Sequence, residues 1–342
     1  MRFMATVAPG LEKIAQRQII EIPQDILRGR IFFDTDMPLD NLLKLKCIDN
    51  LYMYIDQFEI GATKLSLANL KEKLRVDPYI IQSYMQSVIQ EQLQKSSVHA
   101  TVQSQICRIH VSVARSGKHS FSRFDMATVA MEALLKQPQF IPGDEYNHDL
   151  HFRLDAIDNT AYFSIKLTSA EFRYRGFKQF LPGAIRPSIA NCMIWLSKPD
   201  KNDVFLDPFC GSGTIVSERS FYPNRKILGF DISDEAVDIS RNIAPHAVIR
   251  QGDARNLPLK DKQVDAIVSN PPWDVQVQIQ TDDLLNLYDS FLKEARRVLK
   301  DTGRIYLLTD KLEILKEIGE EPEVITQLSL HGLHPSIVRI KG

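Results

Sequence analysis

The sequence predicts a two-part α/β protein whose second half is a doubly wound parallel sheet. Three observations carry that expectation. From residue 204 onward, short apolar runs alternate with stretches of helical periodicity, the order expected when strands are joined by crossover helices. A glycine-rich turn, Asp207-Pro208-Phe209-Cys210-Gly211-Ser212-Gly213-Thr214, follows the first run. Three successive runs lead to aspartates, Asp207, Asp231 and Asp253, and the fourth ends at Asn270-Pro271-Pro272-Trp273.

Val204-Phe205-Leu206 is the first strand, and the glycine turn leads from it into a helix. Ile227 to Phe230 is the second, ending at Asp231, with a helix from Glu235 to Asn242 behind it. Ala247-Val248-Ile249 is the third, and Val264 to Ser269 the fourth. Leu284, Leu287, Tyr288, Phe291, Ala295 and Val298 recur at helical spacing and predict a helix over Leu284 to Leu299. Strand Arg304 to Leu308, a short helix Leu312 to Ile318, and strands Val324 to Leu330 and Ser336 to Ile340 complete the half. The connection His331-Gly332-Leu333-His334-Pro335 is too short for a crossover, so a terminal antiparallel hairpin closes a seven-stranded sheet.

The first half mixes both signals without a nucleotide-type glycine turn. Helices are expected over Leu11 to Ile20, Leu67 to Leu74, Ile80 to Leu93 and Met126 to Leu135. Strands are expected over Arg30 to Asp34, Gln105 to Val113, Leu150 to Ala156 and Thr160 to Leu167, the last two as a hairpin. Phe180-Leu181-Pro182-Gly183-Ala184 reads as the boundary between the halves.

A hydrophobic share of 44% and a charged share of 25% are globular values. The chain lacks a signal-peptide core at its start and any apolar run long enough to span a bilayer, so a cytoplasmic protein away from membranes is expected. Cys47, Cys107, Cys192 and Cys210 lie far apart with no CxxC pair, which points to reduced, buried thiols and to no metal site. A formal net charge of -1 argues against a generally basic surface. Two basic stretches survive within it: Arg108, Arg115, Lys118 and Arg123 oppose only Asp125, and Lys166, Arg173, Arg175, Lys178 and Arg186 oppose only Glu171.

The glycine turn lets a ligand approach the backbone, and N–H groups at the start of the following helix suit a carboxylate. S-adenosylmethionine carries one. Asp207, Pro208, Phe209, Gly211, Ser212, Gly213 and Thr214 are therefore candidate cofactor residues. Asp231, with Ile232 beside it, lies where a carboxylate accepts ribose hydroxyls; Asp253, with Ala254, falls near an adenine amino group. A nicotinamide cofactor fits less well, because Val216 stands at the third glycine position of Gly-x-Gly-x-x-Gly. Asn270, Pro271, Pro272 and Trp273 form a stiff turn whose acceptors and aromatic face suit a planar nitrogen, such as an exocyclic amine of a nucleobase.

These residues resemble class I amino-methyltransferases, and the whole chain resembles the THUMP-containing RNA guanine-N2 methyltransferases. Val7-Ala8-Pro9-Gly10-Leu11-Glu12 is similar to the opening of their ferredoxin-like domain, Val111 to His119 to their THUMP core, and Phe172 to Phe177 with Ile185 to Ala190 to their linker and entry helix. The resemblance implies a ferredoxin-like domain at 1–60, a THUMP domain at 61–168, a linker at 169–184 and a Rossmann-like methyltransferase domain at 185–342. It implies S-adenosylmethionine as cofactor and tRNA as partner, held at its 3′ end and acceptor stem, with N2-methylguanosine, at position 6 by resemblance, as product. A small activating protein subunit is left open. Arg115, Lys118, His119, Arg123, Arg173, Arg175 and Lys178 become candidate RNA contacts.

On that reading the Asn270 side-chain oxygen and the Pro271 carbonyl accept the two N–H groups of the amine, and Trp273 stacks on an extruded base. The family usually has glycine after the aromatic residue, where this chain has Asp274, which either accepts the released proton, steadies the sulfonium charge or is a plain turn aspartate. Asn-Pro-Pro-aromatic turns also serve adenine-N6 and protein-glutamine methyltransferases. Ribosomal RNA as substrate, and an inactive RNA-binding protein, are the remaining alternatives.

Overall fold

The computed structural model describes residues 1–19, 25–77, 79–81, 84, 106–177, 181–273, 281–330 and 332–341. Among these, two sheets are built. The first has eight strands: β1 (Arg2–Thr6), β2 (Asp25–Leu27), β3 (Arg30–Asp34), β4 (Asn50–Glu59), β5 (Cys107–Ser116), β6 (Phe140–Pro142), β7 (Leu150–Ile157) and β8 (Thr160–Lys166). Their order is β2-β3-β1-β4-β8-β7-β5-β6, antiparallel except where β5 pairs with β6 and β7.

Two of these strands lacked a sequence signal for the same reason. β1 and β4 lie inside the sheet, and Phe3-Met4-Ala5 and Leu51-Tyr52-Met53 are buried at consecutive positions. With both faces covered, the apolar-polar alternation that marks a half-exposed strand disappears. β4 has a further consequence: its first residues pair with β1 and Tyr52 to Glu59 pair with β8, so it joins strands from either side of residue 60 into one sheet. β2 and β6 are three-residue edge strands, too short to show a pattern.

The expected helix at Leu11 forms only over Glu12–Gln16, burying Ile14 and Ala15. The helix expected at Met126 starts earlier, over Arg123–Leu134, because Ser122 and Asp125 close a capping box there. The expected helix Ile80 to Leu93 lies mostly outside the described residues.

The second sheet contains β9 (Val204–Asp207), β10 (Lys226–Asp231), β11 (Val248–Gln251), β12 (Val264–Ser269), β13 (Leu299–Thr309), β14 (Glu323–Gln327) and β15 (Ser336–Ile340). Its order is β11-β10-β9-β12-β13-β15-β14; β9 to β13 run parallel, and β15 pairs antiparallel with β13 and β14. This is the seven-stranded sheet with a terminal hairpin that the sequence predicts. Strand order reverses between β10 and β12 around the central β9, so the carboxyl ends part there and leave a crevice.

The two sheets share a core. Phe3, Ala5, Leu11, Ile31 and Phe33 pack in one cluster with Ile189 and Met193 of the helix Pro187–Leu196 and with Phe205 of β9. At its edge, the Ser329 N–H donates to the Pro9 carbonyl at 2.9 Å and Thr326 Oγ1 to the Gly10 carbonyl at 2.7 Å. Gly10 sits at φ 104°, and a Cβ there would lie 2.1 Å from the Gln327 carbonyl oxygen. Gly10→Ala therefore destabilises the protein by at least about 1–3 kcal/mol, from backbone strain before any steric overlap is counted. The urea midpoint checks this, and an unchanged midpoint would show that the turn relaxes freely.

Candidate active site

The crevice at the carboxyl ends of β9, β10 and β12 is a cavity of about 560 Å³. Asp207 closes β9 at its base and is fully buried. Its Oδ1 accepts from Ser269 Oγ at 2.5 Å and from the Phe209 N–H at 3.2 Å, while Oδ2 has no hydrogen-bond partner within the protein. Burial pushes its pKa up to about 7; the bonds from Ser269 and Phe209 oppose that rise, and Asp231 adds a smaller upward push.

The glycine turn is tied to the next strand, since the Gly211 N–H donates to Asp231 Oδ2 at 2.9 Å. Gly211 has φ 50°, and a Cβ there would meet nothing within 4 Å: its missing side chain leaves open space on the cavity wall. Gly213 serves packing instead, because at φ 90° its Cβ would lie 2.6 Å from Ser240 Oγ. It begins the helix Thr214–Arg219, and Thr214 Oγ1 is buried without a partner. Asp231 Oδ1 accepts from the Ser233 N–H at 3.0 Å, so each of its oxygens takes one backbone donor. Ile232 lies 67% exposed at the cavity rim.

Asp253 is not a free carboxylate. Arg255 Nε reaches both its oxygens at 3.0 Å and Nη2 reaches Oδ2 at 2.7 Å, and these bonds hold its pKa below the usual carboxylate range. Ala254 and Arg255 line the cavity beside it.

Asn270 ends β12. Its Nδ2 donates to the Gly183 carbonyl at 3.2 Å, and its Oδ1 is buried with no partner. The rest of the motif splits. Pro272 lines the cavity and its carbonyl accepts from the Tyr288 hydroxyl at 3.4 Å; Pro271 is buried and does not line it. Trp273 points the other way: it is 3% exposed, sits in the shared core, and donates Nε1–H to the Leu308 carbonyl at 3.2 Å. The expected stacking face is thus turned inward, because the indole N–H finds a backbone acceptor and its rings a packed apolar environment. Asp274 lies outside the described residues.

Sequence reasoning missed the wall that comes from the connection between the sheets. Leu181, Pro182, Gly183, Ala184 and Ile185 line the cavity. The dipeptide Pro182-Gly183 marks both a boundary between the halves and a turn over the site. Asp283 and Leu287, from the helix Thr281–Val298, line the opposite side.

The two basic stretches separate. Arg115, Lys118 and Arg123 are exposed near the turn after β5; Arg115 Nη1 donates to the His119 carbonyl at 3.2 Å, and His119 Nε2 contacts the Asp158 carbonyl oxygen at 2.6 Å. Arg175 does not reach solvent. Its Nε lies 3.0 Å from Glu218 Oε1, and its other nitrogens donate to the Lys46 and Phe172 carbonyls, leaving the side chain 7% exposed. It is an internal ion pair, as charge distant in sequence determines. Arg173 lies 3.7 Å from Asp49 Oδ2 and over the Tyr174 ring. Lys178 lies outside the described residues.

The family model described as UPF0020, RMKL-like, methyltransferase domain, matches residues 174–334. A tRNA (guanine(6)-N2)-methyltransferase of Methanocaldococcus jannaschii is 24% identical over 93% of this chain and 92% of its own length. A probable tRNA (guanine(10)-N2)-dimethyltransferase of Methanothermococcus thermolithotrophicus is 30% identical over 42% of this chain and 92% of that protein. Among solved structures, TrmN from Thermus thermophilus superposes with a TM-score of 0.76 at 21% identity, covering 99% of this chain and 98% of that one, a likeness of fold through both sheets. With the matched segment lying over the strand-end residues of the cavity, and a relative matched along nearly its whole length, the chain belongs to the UPF0020 family of RMKL-like methyltransferases.

Proposed function

We propose that this protein transfers a methyl group from S-adenosylmethionine to the exocyclic N2 amine of a guanosine in tRNA. One observation carries the reading: Asn270 is anchored through its amide nitrogen, which leaves a buried, unpartnered acceptor oxygen where the cavity meets the end of β12. A hydrogen-bond donor is what such a site lacks, and the N–H of an exocyclic amine supplies one.

The cofactor fits what the residues leave open. The volume, about 560 Å³, is in the usual range for small-molecule sites. Asp207 Oδ2 and Thr214 Oγ1 are buried without partners, and the position of Gly211 is clear of side chains. Asp207 would face the cationic methionine end, the Thr214 helix start its carboxylate, and Asp231 the ribose; Asp253 would need one oxygen released from Arg255 to take an adenine amine. When bound, S-adenosylmethionine supplies a methyl group on a positively charged sulfur.

The guanine N2 lone pair is delocalised into the ring, so alignment matters more than a strong base. Asn270 Oδ1 accepts one N–H and sets the direction of the amine; positioning of this kind supplies about 7–11 kcal/mol of a barrier. With Trp273 buried, the base is held by the cavity walls rather than by an indole platform. The division 1–60, 61–168, 169–184 and 185–342 assigns the first half to RNA, with Arg115, Lys118, His119 and Arg123 meeting phosphates of the 3′ end and acceptor stem. Position 6 is favoured because the Methanocaldococcus relative with that printed specificity matches both chains nearly end to end. A cytoplasmic location is consistent with tRNA as substrate; among the described residues no helix is long and apolar enough to cross a membrane.

Mass spectrometry of tRNA nucleosides from cells lacking the protein tests the whole reading: N2-methylguanosine is lost at one site, and retention at every normal site refutes it. Asn270→Ala lowers the methylation rate about 10²–10³-fold, the scale of losing an oriented polar group, while calorimetry finds cofactor affinity intact. Unchanged turnover would remove Asn270 from the reaction.

Asp207 gives a pH signature. A bound cation favours the ionised carboxylate, so binding would lower a pKa that burial holds at about 7. Cofactor affinity therefore rises as pH increases from about 6 to 8, and Asp207→Asn weakens binding and removes the component of that rise due to this carboxyl. Identical slopes in the two proteins would exclude Asp207 as the cation's partner. Replacing Arg115, Lys118 and Arg123 together by alanine lowers tRNA affinity and reduces the salt slope of log Kd by up to about three; an unaltered slope would place the RNA elsewhere.

A further inference from the structure

Asn270 owes its orientation to a segment of chain outside its own sheet. We propose that the linker between the sheets is a positioning element of the active site, with the Gly183 carbonyl selecting the amide orientation of Asn270 that presents Oδ1 to the acceptor amine. The inference rests on the methyl-transfer reading above and deepens it.

An asparagine amide is nearly symmetric in shape and opposite in function at its two ends: oxygen accepts, nitrogen donates. Rotated by half a turn, Asn270 would present a donor to the amine N–H and repel it. A backbone carbonyl can only accept, so the Gly183 oxygen at 3.2 Å admits only Nδ2 and leaves Oδ1 for the substrate. The buried Oδ1 has no other claimant.

The linker is shaped to hold that carbonyl. The Ala184 N–H donates to the Leu181 carbonyl at 3.0 Å, closing a four-residue turn with Pro182 and Gly183 at its centre. Gly183 has φ 88°, as the third residue of a type II turn requires, and proline suits the second position. Buried ion pairs lie before and after it in the chain. Upstream, Arg175, itself left-handed at φ 56°, joins Glu218 to the Lys46 carbonyl. Downstream, Arg186 Nη1 and Ser188 Oγ each lie 2.5 Å from an Asp49 oxygen. Residues 46 and 49 belong to the first half, so the acceptor geometry at Asn270 is coupled to the docking of that half.

The test is a double-mutant cycle read by single-turnover methylation of tRNA, with cofactor affinity measured by calorimetry. Gly183→Ala strains the turn, and Arg175→Lys keeps charge against Glu218 while losing donors to the Lys46 and Phe172 carbonyls. Each lowers the transfer rate about 10-fold with cofactor Kd changed less than about 2-fold, and each costs less than about 2-fold when added to Asn270→Ala. Should Gly183→Ala fail to fold, Arg175→Lys carries the test alone. Equal losses in both backgrounds, or losses accounted for by weaker cofactor binding, overturn the positioning role. If Asn270→Ala methylates at the full rate, Asn270 has no part in the transfer and the positioning role falls with it; if the unsubstituted protein transfers no methyl group to tRNA in the same assay, the methyl-transfer reading falls instead.

Discussion

A carboxyl group kept from water at the end of the central strand organises the active face. Asp207 accepts from Ser269, which ties β9 to β12 across the point where strand order reverses. On the other side, Asp231 accepts from Gly211 and so draws the glycine turn toward β10. The turn is therefore strung between two acids at adjacent strand ends, and the space it encloses is fixed by their spacing. Asp207 Oδ2 has no partner within the protein, and a buried acceptor left so costs on the order of 1–3 kcal/mol. On the proposed reading, a cationic group held beside Oδ2 would offset that cost, which would favour a charged ligand over a neutral one.

A second pair of acids determines how the halves meet. Asp49 and Glu218 are buried, and each draws arginines from the segment between the sheets: Asp49 takes Arg173 and Arg186, and Glu218 takes Arg175. Burial pushes the Glu218 carboxyl up to about 7 even with Arg175 against it, and Asn191 Nδ2 donates to its second oxygen at 3.0 Å. Removing one partner of such a pair typically costs about 3–5 kcal/mol because the other charge is left stranded. These contacts make the halves one mechanical unit, with the linker under constraint throughout the part that faces the cavity.

How much of this was legible follows from what sequence patterns encode. The strands of the second sheet and their terminal acids were readable because each buried run is short and stops at a polar residue; Asp207, Asp231 and Asn270 lie where that pattern puts them. β1 and β4 were not, because strands covered on both faces carry no alternation. The basic stretch from Lys166 to Arg186 suggested a solvent-facing cationic track, yet Arg175 and Arg186 are neutralised by acids 43 and 137 positions away. Charge counted along a chain misses partners brought by folding. The linker was legible as a turn but not as a wall of the site, since Leu181-Pro182-Gly183-Ala184 specifies its own geometry and nothing about what it turns against.

Trp273 shows the same limit from the other side, and its placement explains the stiffness of the motif. An aromatic residue after two prolines is equally compatible with facing a ligand or facing the core. Here the core wins: the indole is packed with Leu308 and Ile337 in the shared cluster, and its N–H is satisfied by a carbonyl of β13. The Tyr288 hydroxyl contacts the Pro272 carbonyl and lies 2.9 Å from Thr309 Oγ1, bracing the turn from below. Asn270 is thus held by a buried anchor behind it and by the linker in front. An acceptor whose position is fixed before the substrate arrives gives up little freedom on engaging it, so the binding contribution of its hydrogen bond is not spent on ordering the protein. On the proposed reading, discrimination among bases would rest on donor and acceptor placement within the cavity. Stacking on Trp273 would supply none of it, because the indole is buried and a π-face accepts every base, whereas an unpartnered acceptor oxygen takes only a hydrogen-bond donor.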